Sequence, residues 1–137
     1  MKIEYMSQEK AEAIVPSDNM AIISIAGLDT ERELPAGWTY RLDVDFNDFL
    51  RPLPEDAKFD IYREYIFNEN KAKSIHDFIK GLPDKIDHII IHCHHGVSRS
   101  ATVAMILSEH YGEDFPKDYK YTNKLVYGIL HKEFFGK

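Results

Sequence analysis

Cysteine is nearly absent from this chain: Cys93 is the only one in 137 residues. An internal disulfide is thereby excluded, as is a thiol relay within the chain, and a reducing cytoplasmic setting is the expectation. Missing too are an apolar stretch of signal-peptide kind behind Met1 and any apolar run long enough to span a bilayer, so no membrane partner is expected. Positive charge is in deficit. The net charge of −6 speaks against a general affinity for nucleic acid or an anionic membrane, while leaving room for a local basic pocket. Low-complexity tracts and internal repeats are lacking as well. What is present, 44% hydrophobic, 29% charged and 12% aromatic residues, is an ordinary globular composition. The length fits a single domain over 1–137 with a proper core.

Apolar patterning then divides the chain. Ile3 to Met6 reads as a short edge strand, and Ser7 as the N-cap of a helix that has Glu9 in its first turn and ends before Pro16. Met20 to Ile25 is a nearly continuous apolar run closed by Gly27, as expected of a strand covered on both faces. Trp38, Tyr40, Leu42, Val44 and Phe46 alternate with polar residues, the mark of a strand with one apolar face. From Asn47 to about Phe67 the pattern fails, Pro52 and Pro54 interrupt it, and a long loop with a helical turn near Tyr62 is predicted. Asn68 caps a helix carrying Ala72, Ile75, Ile79 and Leu82, stopped by Gly81 and Pro83. His88 to His92 reads as a buried strand and Ser100 to Tyr111 as a well-buried helix ended at Gly112. A last helix is predicted from Tyr119 to Phe134, with Leu125, Ile129 and Leu130 inward. Strands alternating with helices predict a three-layer α/β fold around a central, largely parallel sheet flanked by helices.

The chemistry gathers at one turn. Residues 92–100 read His-Cys-His-His-Gly-Val-Ser-Arg-Ser, with a buried strand entering and a helix leaving. A tight loop there aims backbone N–H groups and the positive end of a helix dipole into one small concavity, suited to an anion of phosphate size. The same field stabilises a thiolate at Cys93. Arg99 closes the loop, and its planar fork can hold two phosphate oxygens at once, which lysine does less well. Gly96 suits a place of unusual dihedrals or close approach to the ligand.

Cys93 through Arg99 match the Cys-x5-Arg signature of the protein tyrosine and dual-specificity phosphatases. The longer string Ile-His-Cys-x-x-Gly-Val-Ser-Arg-Ser-Ala most resembles the compact dual-specificity type and its small microbial relatives. The close resemblance is confined to residues 88–107. It implies a phosphatase-like fold and hydrolysis of phosphate monoesters, phosphotyrosine first and dual specificity second, without cofactor or metal. Partners would be a phosphorylated protein or a small phosphate ester. Cys93 would attack phosphorus and carry the phosphate covalently. Arg99 and the backbone amides of His94, His95, Gly96, Val97, Ser98 and Arg99 would bind the transferring group. Ser100 would donate a hydrogen bond to the sulfur as leaving group. His92 would orient the loop and help lower the thiol pKa without touching substrate.

The family also uses a loop aspartate as general acid. Asp48 is the first choice because it follows the alternating strand and so lies at the sheet's C-terminal edge, where α/β active sites assemble. Asp60 is nearer the family's usual spacing from Cys93, and Asp45 and Asp56 stay in contention.

Other readings compete. Cys93 could be an inert buried thiol, although Gly96 and Arg99 in register argue otherwise. His92, Cys93, His94 and His95 are all metal-ligand types, but consecutive residues leaving a strand point apart and do not converge on one ion. His94 and His95 instead read as pocket rim. His76, His88, His110 and His131 show no partner pattern and read as surface or helix-face residues, and the Trp38 stripe as core. In another functional class stands a phosphate-binding module that recognises phosphorylated partners without turnover. A phosphatase for a phosphoinositide or an RNA 5′-phosphate is the remaining alternative, and the acidic balance gives the RNA no support.

Overall fold

A computed structural model describes residues 1–28, 30–50 and 63–136. In chain order the elements are β1 (Lys2–Ser7), α1 (Gln8–Glu12), β2 (Met20–Ala26), β3 (Tyr40–Asp45), α2 (Glu69–Lys80), β4 (His88–Cys93), α3 (Arg99–Tyr111) and α4 (Lys124–Phe135). The four strands form one sheet in the order β1-β4-β2-β3, and every pairing is parallel. The architecture is therefore α/β, an all-parallel sheet with helices packed against it. Among the described residues no helix is long and apolar enough to cross a membrane.

Alternation along the strands splits the core in two. Ala21, Ile23 and Ile25 of β2, Ile89 and Ile91 of β4, and Val44 face α2, α3 and α4 in the larger cluster. Ile22 and Ile90 face the other way, toward Ala11 of α1 and the segment bearing Leu34 and Trp38. Both faces of β2 and β4 are thus covered, which accounts for their continuous apolar sequences.

Local signals explain most boundaries. Ser7 Oγ accepts from the Lys10 amide at 3.3 Å, and Asn68 Oδ1 from the Lys71 amide at 2.9 Å, each meeting one orphan donor at a helix start. Gly112 ends α3 in the left-handed region at φ 70°. The long loop predicted from Asn47 is only partly described, and the turn near Tyr62 lies outside the described residues.

Two expectations are corrected. The strand predicted from Trp38 begins at Tyr40. The backbone bends at Thr39, between Trp38 and the strand, so the period-two pattern does not extend back to Trp38. Trp38 packs instead over Ile22 and Ile90, across the sheet from Tyr40, Leu42 and Val44. The last helix starts at Lys124 rather than Tyr119, because Asn123 caps it and residues 119–122 have no helical structure, the Tyr119 hydroxyl bonding to the Val97 carbonyl. Its buried residues are Val126 and Leu130, while Leu125 and Ile129 are only half-buried.

Candidate active site

β4 delivers Cys93 to the C-terminal edge of the sheet, and α3 starts at Arg99. Between them Gly96 sits at φ 72°. A side chain there would collide with the backbone of Met6 and Ser7, so the glycine answers both to its dihedral and to a close approach. The unusual dihedral is the one the sequence suggested, and the close approach is to β1.

Cys93 is buried with its sulfur turned into the helix start. Ser100 Oγ lies 3.1 Å from Sγ, and the Ser100 amide donates to Sγ at 3.4 Å. Ser98 occupies the N-cap position of α3 but makes no capping bond with its side chain, and the first turn holds no acidic residue. No side chain of the cap or first turn thus meets this helix end, and the dipole's positive end faces the loop and the Cys93 sulfur. Ser98 Oγ donates instead to Asp48 Oδ1 at 2.9 Å.

Arg99 is nearly buried, and its Nη1 donates to the Phe46 carbonyl at 2.8 Å. The guanidinium is thereby anchored at the C-terminal end of β3. Gly27 makes the room: a Cβ there would strike Asn47 and come within 3.3 Å of Arg99 Nη1. A cavity of about 310 Å³ is lined by Asp48, Cys93, His95, Val97, Ser98 and Arg99. Thus the sequence-chosen nucleophile, arginine and first-choice acid share one concavity, with Ser100 behind the sulfur.

Asp48 accepts a second bond on Oδ1, from Asn123 Nδ2 at 2.7 Å. Asn123 is fully buried, and its Oδ1 caps α4 by accepting from the Val126 amide at 3.1 Å. Sequence reasoning missed Asn123 because the helix was begun too early, at Tyr119 rather than Lys124; an Asn directly before an apolar helical run was the available signal. Asp45 does not line the cavity. It pairs with Arg32 away from Cys93. Asp56 and Asp60 lie outside the described residues.

His95 lines the Cys93 cavity and His94 does not; His94 lines a neighbouring one of about 330 Å³, shared with His95, Ser7, Gln8, Glu9 and Glu12. Val97 is exposed, and its carbonyl accepts from the Tyr119 hydroxyl. Burial lifts the Tyr119 phenol to about 12, with Tyr5 and Cys93 adding to the rise, so Tyr119 acts as a neutral donor holding the loop. Among the described residues no group of three His, Cys, Asp and Glu side chains is arranged to hold a metal. The remaining histidines are less isolated than expected: His88 lies 2.9 Å from Glu4, His76 3.3 Å from Glu133 and His131 3.7 Å from Glu109.

His92 is fully buried, with Nε2 2.7 Å from Ser24 Oγ. Burial lowers its pKa to about 4, outweighing the opposing pull of the Cys93 backbone. The ring is neutral at pH 7, so any help it lends the thiol comes through orientation and hydrogen bonding rather than charge.

Comparison with protein-family models, with curated proteins and with solved structures finds no match to this chain.

Proposed function

We propose that the chain is a cysteine-dependent phosphatase that hydrolyses phosphate monoesters through a phospho-cysteine intermediate. One observation carries this reading: Cys93 Sγ receives Ser100 at the uncapped start of α3 while Arg99 and Asp48 line the same cavity. Anion-binding amides, a bidentate cation and a sulfur nucleophile then meet within the reach of one phosphate.

In the first step the Cys93 thiolate attacks phosphorus, the S–P bond forms and the P–O bond to the alcohol breaks. Asp48 is anchored through Oδ1, and its Oδ2 delivers the proton that the departing alkoxide takes up. In the second step water attacks phosphorus, its proton passes to Asp48, the S–P bond breaks and inorganic phosphate leaves. The Ser100 hydroxyl donates to the sulfur as it departs. Arg99 and the loop amides bear the charge on the equatorial oxygens in both steps, positioned before reaction by Phe46 and the helix. Phosphotyrosine is the first substrate class on the resemblance of residues 88–107, with dual specificity next.

The test is turnover of phosphotyrosine and phosphoserine peptides, phosphoinositides and RNA 5′-phosphates by the wild type and by Cys93→Ser. Turnover is expected to vanish in the variant while vanadate or phosphate binding persists, since the cradle and Arg99 remain. Activity retained in Cys93→Ser overturns the covalent mechanism. Binding without turnover in the wild type identifies a phosphate-binding module instead.

A further inference from the structure

Adjacent residues of β4 point to opposite faces of the sheet. Cys93 packs with the helix-covered cluster, and His92 projects to the other side. There the strand register sets Met6, His92, Ser24 and Asp43 side by side. Arg32, from the connection between β2 and β3, lies over this row. Its Nε donates to Ser24 Oγ at 2.6 Å and its Nη2 to the Ser24 carbonyl at 3.0 Å, while Asp45 and Asp43 hold the guanidinium from outside.

The direction of each bond can be deduced. A guanidinium only donates, so Ser24 Oγ accepts from Arg32. Ser24 is fully buried, and its hydroxyl proton needs an acceptor of its own. Nε2 of His92, at 2.7 Å, supplies one only when it carries no proton. A neutral ring then bears its proton on Nδ1. That nitrogen has no fully formed hydrogen bond among the described residues, but the Cys93 backbone lies close enough to favour a proton on the ring.

We propose that Ser24 and Arg32 are positioning residues for the Cys93 loop, fixing His92 as the Nδ1–H tautomer so that its N–H is presented to the Cys93 backbone. The proposal rests on Cys93 being the nucleophile proposed above. The charged groups around the ring are Arg32 and Arg41, which oppose a proton there, and Asp43, which favours one. The outer carboxylates thus offset the arginines and hold Arg32 in its donating pose.

Long-range ¹⁵N–¹H spectra of histidine-labelled full chain read the tautomer directly and independently of turnover. At pH 7 His92 is expected to show a protonated Nδ1 and a bare Nε2. Ser24→Ala is expected to populate both tautomers and to lower kcat about tenfold with little change in KM, as loss of one net hydrogen bond would give. Ser24→Thr, which keeps the hydroxyl, restores both readouts. Arg32→Met changes only the outer end and guards against a folding defect at Ser24; it is expected to shift the tautomers in the same direction with a smaller loss of kcat. A proton on Nε2 in the wild type overturns the proposal. So does a Ser24→Ala protein with unchanged tautomer or unchanged kcat. A wild type without turnover overturns the phosphatase reading instead, and the spectra still decide this one.

Discussion

His92 and Cys93 are neighbours in sequence, yet they belong to two differently built sides of one sheet. On the side of Cys93, α2, α3 and α4 cover the strands, and the polar site is made from one continuous strand–turn–helix. On the side of His92 the cover is α1 and the stretch around Leu34 and Trp38, and the polar row is assembled from β2, β3, β4 and Arg32. The first kind of site is written in a single run of residues. The second exists only once the strands are in register.

The largest break in that comparison is at Arg99. Lysine keeps the charge but not the fork, and it loses the geometry that ties Nη1 to the Phe46 carbonyl. Arg99→Lys is expected to lower kcat/KM for an aryl phosphate about 10³-fold, the upper range for loss of a transition-state donor. Near-normal kcat/KM would mean that Arg99 serves only the packing of α3.

On the opposite side the expected effect is on stability. His92 titrates near 4 in the fold against 6.5 in an unfolded chain. Between those values the unfolded state binds the extra proton, so stability falls as pH drops from 6.5 toward 4 and is flat in this group below that. The loss is on the order of 3 kcal/mol. Urea midpoints measured across this window for the wild type and His92→Gln isolate it. The variant is expected to have a shallower slope, and parallel curves would refute a buried neutral His92.

Sequence reading reached these two sides unequally, for physical reasons. Cys93, Gly96, Arg99 and Ser100 are legible because strand, tight turn and helix impose their spacing locally. The caps at Ser7 and Asn68 are legible for the same reason. Ser24 sits inside an apolar strand and Arg32 in an irregular crossover, and neither has a local partner that would mark it. Ser24 meets His92 through the pairing of β2 with β4, across 68 residues of chain, and Arg32 joins them through Ser24. Trp38 misled because alternation was extended back across Thr39, where the backbone bends. Tyr119 misled because a helix was extended back over non-helical residues, to a tyrosine whose hydroxyl bonds to the Cys93 loop.

Asp48 stands between the two kinds of residue: the end of a strand suggested it, and long-range bonds hold it. Asp48→Asn is expected to lower kcat about 10²-fold for a phenyl or alkyl leaving group, the low end for a general acid. For an activated leaving group that departs unprotonated the loss shrinks, and the basic limb of the kcat/KM profile disappears. Asp45→Asn, measured alongside, is expected to show no leaving-group dependence, because Asp45 pairs with Arg32 outside the cavity. The same dependence appearing in Asp60→Asn but not in Asp48→Asn would move the acid to the 51–62 segment.

The smallest expected effect, and the finest test of long-range assembly, is at Asn123. This residue does two separable things: Oδ1 caps α4 at Val126, and Nδ2 donates to Asp48 Oδ1 and to the Phe49 carbonyl at 3.0 Å. Asn123→Ala removes both. It is expected to cost about 1 kcal/mol of stability, as for a lost cap, and to lower kcat about tenfold, as for one lost hydrogen bond on a reacting group. Asn123→Ser keeps a capping oxygen but is too short to reach Asp48, so the stability returns and the kcat loss stays. Asn123→Asp also keeps the cap and places a like charge beside Asp48, so its kcat falls at least as far as that of the alanine variant. If the kcat effect runs through Asp48, it disappears in an Asp48→Asn background, and the double variant turns over no more slowly than Asp48→Asn alone. Fully additive losses would show that Asn123 supports the fold and not the acid.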